Sequence, residues 1–428
     1  MGRNEPDMYD LLLKNGRLLD GSRVDIAIKG GRFSRIAESL PSDSASESFD
    51  CGGMVVMPPF YNCHTHAAMV LFRGYADDLP LFPWLNDHIW PAEARLTGDD
   101  VYHAVRLAIL EMVKSGTVFF NDSYFFLPET IRAVEEMGTR ACIGLLWLNV
   151  GNVRANEIRR EENKQVLSDW KAGRLSPRVT IACDPHSIYT VPEAELREIA
   201  EDSLANDLLM HMHLAETRKE FDDCRNAHDG MTPLEYADYC GLVNDRARFA
   251  HAVWMTESDL RRAAEAGAVL VSNPTSNMKL CSGMFHFQEA ERAGCRIALG
   301  TDGCASNNAH SFFSEMKIAA LVGKLQSMDP TVCPAAKVLE TATQAADYFV
   351  PGAGRIEEGA LADAILINTD QPYFIGDYNI VSNLVYAGES SCVDSMICDG
   401  KFVMKHRHVA GEEEIMENAR RVCAKFRR

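Results

Sequence analysis

The sequence is most informative at Pro59-Phe60-Tyr61-Asn62-Cys63-His64-Thr65-His66. This stretch continues the apolar run 54–59, which predicts a short buried strand. Side chains two residues apart on a strand point to the same face, so His64 and His66 can offer two imidazoles to one metal ion. Two polar residues that simply cap a strand are the alternative. The rest of the chain decides between these interpretations, because a metal site needs further ligands.

Downstream of His66, helical stretches alternate with apolar strands. Four helical stretches end in a glycine just before an apolar run, at Gly116, Gly138, Gly267 and Gly294. Glycine suits the left-handed residue just past a helix end, so each position predicts a helix-to-strand junction. Further strands are predicted over 178–183, 208–213 and 248–252, and helices over 97–115, 192–205 and 256–266.

The number of strands favours a barrel. Counted from Met54, eight strands alternate with helices over roughly 300 residues, which matches a (β/α)8 barrel, the TIM barrel, better than a doubly wound sheet. A doubly wound sheet would place a glycine-rich phosphate loop after its first strand, and none follows here. The sequence therefore predicts an α/β fold built on a TIM barrel.

Both ends of the chain consist of short β-segments joined by glycine turns. The predicted segments are 10–17, 24–32, 354–367 and 395–403. We expect 42–48 to be a polar loop and 411–428 a surface helix. The two ends are expected to pair into one small β-sandwich, so the predicted domains are 1–58 and 351–428, which share the sandwich, and 59–350, the barrel.

Composition narrows the class of protein. The net charge of −18 argues against a nucleic-acid surface, which needs clustered Lys and Arg, and against binding to anionic lipid. The thirteen cysteines form no C-x-x-C pair, which is typical of thiols in a reducing compartment. Neither a signal peptide nor a membrane-spanning run is visible, so we expect a cytoplasmic protein.

Barrel enzymes carry their chemistry at the C-terminal ends of the strands. The predicted strand ends carry these ionisable residues: His64, His66, His186, His213, Glu216, His251 and Asp302. Three imidazoles and a carboxylate suit a borderline divalent cation, Zn2+ ahead of Fe2+. The predicted ligands are His64, His66, His213 and Asp302.

The fifth strand leaves one alternative open. His211 shares a face with His213 but lies deeper, so we interpret it as a core histidine, with the role of ligand as the alternative. A bridging lysine on the fourth strand would indicate two metals, and 178–186 contains none, so one metal is expected.

A catalytic metal lowers the pKa of bound water and needs a neighbouring group that moves protons. Glu216 is the natural candidate; a helix glutamate placed by the helix dipole is the alternative. We expect His251 to orient the attacking water. His186 and Glu93 are candidate substrate contacts over the barrel mouth.

Several of these residues belong to longer motifs that carry a family resemblance. The motifs are His64-Thr65-His66, His213-Leu214-Ala215-Glu216-Thr217, Ala250-His251 and Leu299-Gly300-Thr301-Asp302-Gly303. Together they resemble the amidohydrolase superfamily and, more narrowly, its 5-methylthioadenosine/S-adenosylhomocysteine deaminases. The agreement extends to 73–79, 90–93, 273–280 and 306–308, and covers nearly the whole chain.

The resemblance implies a function and further site residues. It implies a mononuclear metal at the four predicted ligands, with Glu216, His251 and Asp302 catalytic. It places Glu93 on ribose hydroxyls and His186 in the substrate pocket. Further substrate contacts implied are Ser306 and an arginine before 161–163, for which Arg159 fits best and Arg160 is the near alternative. It also implies a homo-oligomer.

One departure from the family bears on the substrate. Relatives that use S-adenosylhomocysteine resemble each other in a second arginine after the third strand, whereas 143–149 contains no cation here. A buried carboxylate without a partner is costly, so an apolar 5′ group, methylthio or deoxy, fits better. Candidate residues for lining that part of the pocket are Met69, Phe72, Phe82 and Trp84.

The predicted reaction is hydrolytic deamination of an adenosine-like nucleoside: 5′-methylthioadenosine, 5′-deoxyadenosine or adenosine, with S-adenosylhomocysteine less favoured. One alternative is the same machinery acting on another N-heterocycle, such as guanine, a pterin or a triazine. An alternative of another class is a non-catalytic barrel that serves as a scaffold. Such a scaffold has no reason to keep this set of polar residues at its strand ends.

Overall fold

The computed structural model describes residues 8–149, 153–376 and 378–427. Its strands form two sheets. From the N-terminus they are β1 (Tyr9–Arg17), β2 (Arg23–Lys29), β3 (Arg32–Ala37), β4 (Ala45–Asp50), β5 (Val55–Met57), β6 (Phe60–Thr65), β7 (Thr117–Asp122), β8 (Arg140–Trp147), β9 (Val179–Pro185), β10 (Leu209–Leu214), β11 (Ala247–His251), β12 (Val269–Ser272), β13 (Arg296–Leu299), β14 (Ala364–Ile367), β15 (Val393–Cys398) and β16 (Lys401–Met404).

Strands β6 to β13 form the predicted barrel. Each pairs in parallel with the next along the chain, from β6–β7 to β12–β13. The two ends of this sheet meet where the backbone N–H groups of Thr301 and Asp302 donate to the carbonyl oxygen of His64, at 3.1 and 3.0 Å. The TIM-barrel prediction is therefore confirmed, and the strand ends that carry His64 and Asp302 lie side by side.

The helices follow the barrel strands and cover the sheet. They are α1 (Leu81–Trp84), α2 (Trp90–Glu93), α3 (Gly98–Lys114), α4 (Leu127–Met137), α5 (Val153–Lys171), α6 (Glu193–Ala205), α7 (Arg218–Ala227), α8 (Pro233–Tyr239), α9 (Glu257–Ala266), α10 (Pro274–Lys279), α11 (Phe287–Ala293), α12 (Cys304–Asn307), α13 (Phe312–Ser327), α14 (Ala335–Thr343), α15 (Ile380–Tyr386) and α16 (Glu412–Cys423). A π-helical turn, Leu85–Ile89, joins α1 to α2. Within the described residues, none of the helices has the length and apolar character needed to cross a bilayer.

The predicted helix ends are confirmed where glycine supplies a left-handed residue. Gly138, Gly267 and Gly294 follow α4, α9 and α11 with φ of 76°, 71° and 80°. The starts of α3 and α9 are fixed by Thr97 and Thr256, whose hydroxyls accept from the backbone N–H three residues on.

Two sequence interpretations are corrected at the N-terminal end. The run 54–59 is not part of the strand that holds His64: Val55–Met57 pairs with β1 and β14, and β6 begins after Pro58-Pro59, which lack N–H groups for a ladder. The segment 42–48 is not a loop throughout, because β4 pairs in parallel with β1. Its polar side chains are mostly exposed, so the pattern hides a strand that long-range pairing creates.

The second sheet is built from both ends of the chain, as predicted. Its strand order is β16-β15-β14-β5-β1-β2-β3, with β4 on the other side of β1. Apolar side chains from both ends fill one core, among them Leu13 and Ile26 from one end and Leu366 and Ile397 from the other. The sheet folds over this core as a small sandwich beside the barrel.

A buried ion pair joins the sandwich to the barrel. Arg140 on β8 donates from Nε and Nη2 to the two carboxylate oxygens of Asp363, at 2.7 and 3.0 Å. The hydroxyl of Tyr61 on β6 donates to the same carboxylate at 3.0 Å. Because buried charges are stable only when paired, this cluster fixes the sandwich against the barrel end opposite the strand C-termini.

Candidate active site

Three imidazoles converge at the C-terminal end of the barrel. His64 lies in β6, His66 directly after it, and His213 in β10. One nitrogen of each ring lies within 4.8 Å of the other two, and Nε2 of His66 is 3.2 Å from Nε2 of His213. All three rings are buried or nearly so. The structure therefore brings together the histidines that the sequence marks as ligands.

The outer nitrogens of two rings are held by backbone carbonyls. Nδ1 of His66 lies 2.5 Å from the carbonyl oxygen of Ser123, and Nδ1 of His213 lies 2.8 Å from that of His186. A carbonyl only accepts, so each Nδ1 carries the proton and each Nε2 presents a lone pair to the centre. Nε2 of His64 is buried with no hydrogen-bond partner among the described residues. Three lone pairs directed at one point fit a metal ion.

Asp302 completes the set. Its Oδ1 lies 3.3 Å from Nε2 of His66 and 3.6 Å from Nε2 of His64. The hydroxyls of Ser276 and Ser306 donate to its Oδ2 at 2.6 and 2.9 Å. Burial acts to raise the pKa of Asp302, but the neighbouring histidines outweigh it and hold the pKa well below its usual range. An ionised carboxylate beside three imidazoles is a donor set suited to a divalent metal.

Glu216 and His251 stand beside this cluster. Oε2 of Glu216 is 4.0 Å from Nε2 of His251, and the hydroxyl of Ser282 donates to its Oε1 at 3.3 Å. Nδ1 of His251 lies 2.8 Å from Oδ1 of Asn277, which fixes the ring with Nε2 towards the cluster. Burial raises the pKa of Glu216. Burial acts to lower the pKa of His251, yet the nearby carboxylates, Glu216 first, leave it raised.

A cleft of about 610 Å3, counted to its open mouth, leads to these residues. Its polar lining consists of His66, Glu93, Ser123, Tyr124, His186, Tyr189, His213, Glu216, His251 and Asp302. Its apolar lining consists of Met69, Leu81, Trp84, Leu85, Trp90, Phe125, Leu146, Leu148 and Leu280. Clefts with this mixture of polar and apolar side chains bind small molecules.

The predicted substrate contacts fall partly inside this cleft. Glu93 on α2 lines it; its Oε1 is buried with no partner among the described residues, and burial raises its pKa to about 7. His186 also lines it, and burial lowers its pKa to about 4, so the ring is neutral. Met69 and Trp84 are lining residues.

The other predicted contacts lie outside the lining. Phe72 is fully buried in the core, and Phe82 packs edge-on against Tyr189 with ring centroids 5.9 Å apart. Ser306 lies behind Asp302 as one of its hydrogen-bond donors.

Arg159 stands behind the cleft wall. Its Nη2 donates to the carbonyl oxygen of Leu148 at 2.7 Å, and its guanidinium lies 5.5 Å from the ring centroid of Phe125. Both of these neighbours line the cleft. Arg160 instead pairs with Glu195 at 2.5 Å. Arg159 is therefore the closer of the two arginines to the cleft.

Sequence reasoning missed two polar residues after the second barrel strand. Ser123 and Tyr124 directly follow β7 and line the cleft. Their hydroxyls are buried with no hydrogen-bond partner among the described residues. The signal was available, because the strand-end rule that selected the ends of β6 and β10 applies equally to β7.

An imidazole and carboxylate cluster beside a buried glutamate, at the C-terminal end of a TIM barrel, is typical of metal-dependent hydrolases. The comparisons agree. The amidohydrolase family model matches residues 55–403, and the chain belongs to this family. The chain is thus a hydrolase acting on C–N bonds.

Individual relatives cover almost the whole chain. It is 38% identical over 415 residues to a 5′-deoxyadenosine deaminase of Methanothermobacter thermautotrophicus, which covers 96% of each chain. It is 40% identical over 413 residues to a 5-methylthioadenosine/S-adenosylhomocysteine deaminase of Desulforudis audaxviator, covering 94% of each. The crystal structure of an adenosine deaminase from Xanthomonas campestris with bound zinc superposes with a TM-score of 0.92 at 30% identity, covering 98% of this chain and 99% of that one.

Proposed function

We propose that this chain hydrolyses the exocyclic amine of an adenosine-like nucleoside, with Zn2+ as its metal. The products are the inosine analogue and ammonia. The observation that carries the proposal is the position of Glu216, a buried carboxylate that shares the cleft with the imidazole cluster and faces His251. The relatives of the chain support the substrate class, because two of them are named as deaminases of 5′-modified adenosines.

A divalent cation held by His64, His66, His213 and Asp302 would supply Lewis acidity that brings the pKa of bound water towards neutrality. Glu216 accepts a proton from the attacking water and delivers it to the ring nitrogen beside the amine-bearing carbon. His251, whose raised pKa favours the protonated ring, donates from Nε2 to the entering oxygen. The remaining proton of the water passes from the hydroxyl oxygen to the amino group, which leaves as ammonia as the carbonyl forms.

The polar side of the cleft suits a ribose. Glu93 and Tyr124 face each other with buried polar atoms that make no well-formed hydrogen bond among the described residues. Such atoms are costly until something bonds them, on the order of 1–3 kcal/mol each. The vicinal hydroxyls of a ribose can donate to the Glu93 carboxylate and exchange a hydrogen bond with Tyr124. A free base offers neither hydroxyl.

The apolar side suits a small 5′ group. The described residues that line the cleft include no lysine or arginine, and Arg159 lies behind Leu148. A carboxylate placed there would lose its hydration without gaining a cation. A 5′-deoxy or 5′-methylthio group instead gains contacts with side chains such as Met69 and Trp84.

Ammonia release from zinc-loaded protein tests the substrate class. We expect turnover of 5′-methylthioadenosine, 5′-deoxyadenosine and adenosine, and kcat/KM at least tenfold lower for S-adenosylhomocysteine, since a buried unpaired charge costs more than about 1.4 kcal/mol. Guanine, a pterin and a triazine serve as competing substrates. If only one of these three compounds is turned over, the chain uses the same machinery on another heterocycle. If no compound is turned over, the barrel is non-catalytic.

Replacing Glu93 by alanine tests the ribose contact. Each hydrogen bond to a ribose hydroxyl contributes about 0.5–1.5 kcal/mol, so we expect loss of two to lower kcat/KM for the nucleoside about 10–100-fold while turnover of free adenine is unchanged. The control is Asp87→Asn, which changes an exposed carboxyl in the same helical segment, 81–93, and should leave both rates unchanged. Equal losses for nucleoside and base would show that Glu93 only supports the fold of that segment.

We propose in addition that the chain is cytoplasmic and self-associates. Its thirteen cysteines are all free thiols, which suits a reducing compartment. Leu321 and Leu325 on α13, and Met328 directly after the helix, are exposed apolar side chains that a second copy can cover. Sedimentation of the purified chain decides whether it is a monomer.

A further inference from the structure

The fifth barrel strand carries a second histidine whose place is now defined. His211 lies on β10 two residues before His213, and it is fully buried. Its Nε2 is 3.0 Å from Nδ1 of His64. Its Nδ1 is 3.1 Å from Oδ1 of Asp184, at the end of β9. Asp184, His211 and His64 thus form a continuous chain across three strands, and all three are 0% exposed.

His211 is not a further ligand of the cluster. Its Nε2 meets the outer nitrogen of His64, Nδ1, whereas the cluster lies on the side of Nε2. Among the described residues, the groups that can share a metal include His64, His66, His213, His251 and Asp302 but not His211. Neither His211 nor Asp184 lines the cleft, so neither touches the substrate.

The chain determines which nitrogen of His64 carries the proton. A carboxylate only accepts, so His211 donates from Nδ1 to Asp184 and keeps a lone pair on Nε2. That lone pair accepts from Nδ1–H of His64, which leaves Nε2 of His64 as the free lone pair. His66 and His213 reach the same state through backbone carbonyls, whose polarity cannot change.

Asp184 is the member that gives the chain its direction. An imidazole can donate or accept. Without Asp184, His211 could therefore donate to Nδ1 of His64, and the proton of the His64 ring would move to Nε2 of His64. Only the carboxylate excludes this arrangement. The fold makes room for the carboxylate of Asp184. Residue 144 is glycine, and a Cβ there would lie 2.4 Å from Oδ2 of Asp184. Oδ2 itself has no hydrogen-bond partner among the described residues, so Asp184 is committed to His211.

We propose that Asp184 and His211 are positioning residues that fix the tautomer and ring plane of His64 and thereby set the metal affinity of the site. The inference rests on the metal site of the proposed function and adds two residues to it. Carboxylate partners of ligating histidines commonly change metal affinity by about 10–100-fold when they are removed. Here the carboxylate acts through a second imidazole, which extends the same effect by one ring.

The test is zinc affinity, measured by competition with a chromophoric chelator on the full chain. Asp184→Asn keeps the shape but offers an amide that can donate or accept, so we expect zinc to bind about 10–100-fold more weakly. His211→Gln keeps an acceptor for His64 and a donor for Asp184, and is expected to bind zinc more tightly than Asp184→Asn does. The melting temperature of each metal-free variant is measured in parallel.

Asp259→Asn is the matched control for loss of a buried carboxylate. Asp259 is 1% exposed and accepts from the hydroxyl of Thr232 and the backbone N–H of Thr256. It should lower the melting temperature and leave zinc affinity unchanged, which separates a structural loss from the positioning effect. Wild-type zinc affinity in Asp184→Asn would overturn the inference. No zinc binding by the wild-type chain would instead overturn the proposed metal site, and neither result depends on turnover.

Discussion

Replacing Glu216 by glutamine is expected to lower kcat for the nucleoside about 1000-fold, within the range of roughly 10²–10⁴ for general acid–base groups, while zinc content and KM change little. The amide cannot accept the proton of the attacking water or return it to the ring nitrogen. Its size matches the carboxylate, so Ser282 can still donate to it and the cleft keeps its shape. Loss of kcat at constant KM would mean that Glu216 acts on the transition state rather than in binding.

Ser282→Ala provides a graded control for Glu216. It removes one hydrogen bond to the carboxylate, of 3.3 Å, and should cost no more than about tenfold in kcat. Rates are measured as ammonia release, with zinc content determined for each variant. If Glu216→Gln keeps more than a tenth of the wild-type rate, another group moves the proton and the role assigned to Glu216 is wrong.

The barrel and its ligand strands could be predicted because they depend on local patterns. Glycines such as Gly267 mark the ends of helices, and strand ends collect the polar side chains. The spacing of His64 and His66 places two rings on one side of the barrel mouth. These signals lie within a few residues of each other, and the fold only has to bring the strand ends together.

The backbone of the site could not be predicted, because it is imposed by surrounding structure. Ala215, His251 and Asp302 have φ of 53°, 71° and 58°, the left-handed region that non-glycine residues seldom adopt. Nothing in their residue types indicates it. Each is held by hydrogen bonds to its surroundings. The backbone N–H of Ala215, for example, donates to the carboxylate of Glu220 at 2.9 Å. Such conformations cost roughly 1–3 kcal/mol each and are typical of functional sites.

Partners that lie on different strands were also beyond the sequence. His211 could be read only as a core residue or a ligand, since its link to Asp184 joins strands 27 residues apart in the chain. Arg159 and Arg160 are adjacent, and only the helix orientation of α5 separates the one near Phe125 from the one that pairs with Glu195.

Removing the metal is expected to abolish turnover, to below about a thousandth of the loaded rate, because water near its ordinary pKa of 15.7 is a poor nucleophile at neutral pH. Chelation followed by dialysis gives the metal-free protein, and one equivalent of Zn2+ should restore the rate. The metal-free chain should also melt at a lower temperature, since a ligand bound at 1000 times its Kd stabilises a fold by about 4 kcal/mol.

His213→Asn should resist rescue, because it removes one of the three converging lone pairs. His286→Asn, at an exposed histidine whose Nδ1 bonds Gln326, should be rescued like the wild type. Full activity in protein shown by elemental analysis to be metal-free would mean that the imidazole cluster is not the reaction centre, and would return the cleft to the status of a binding site.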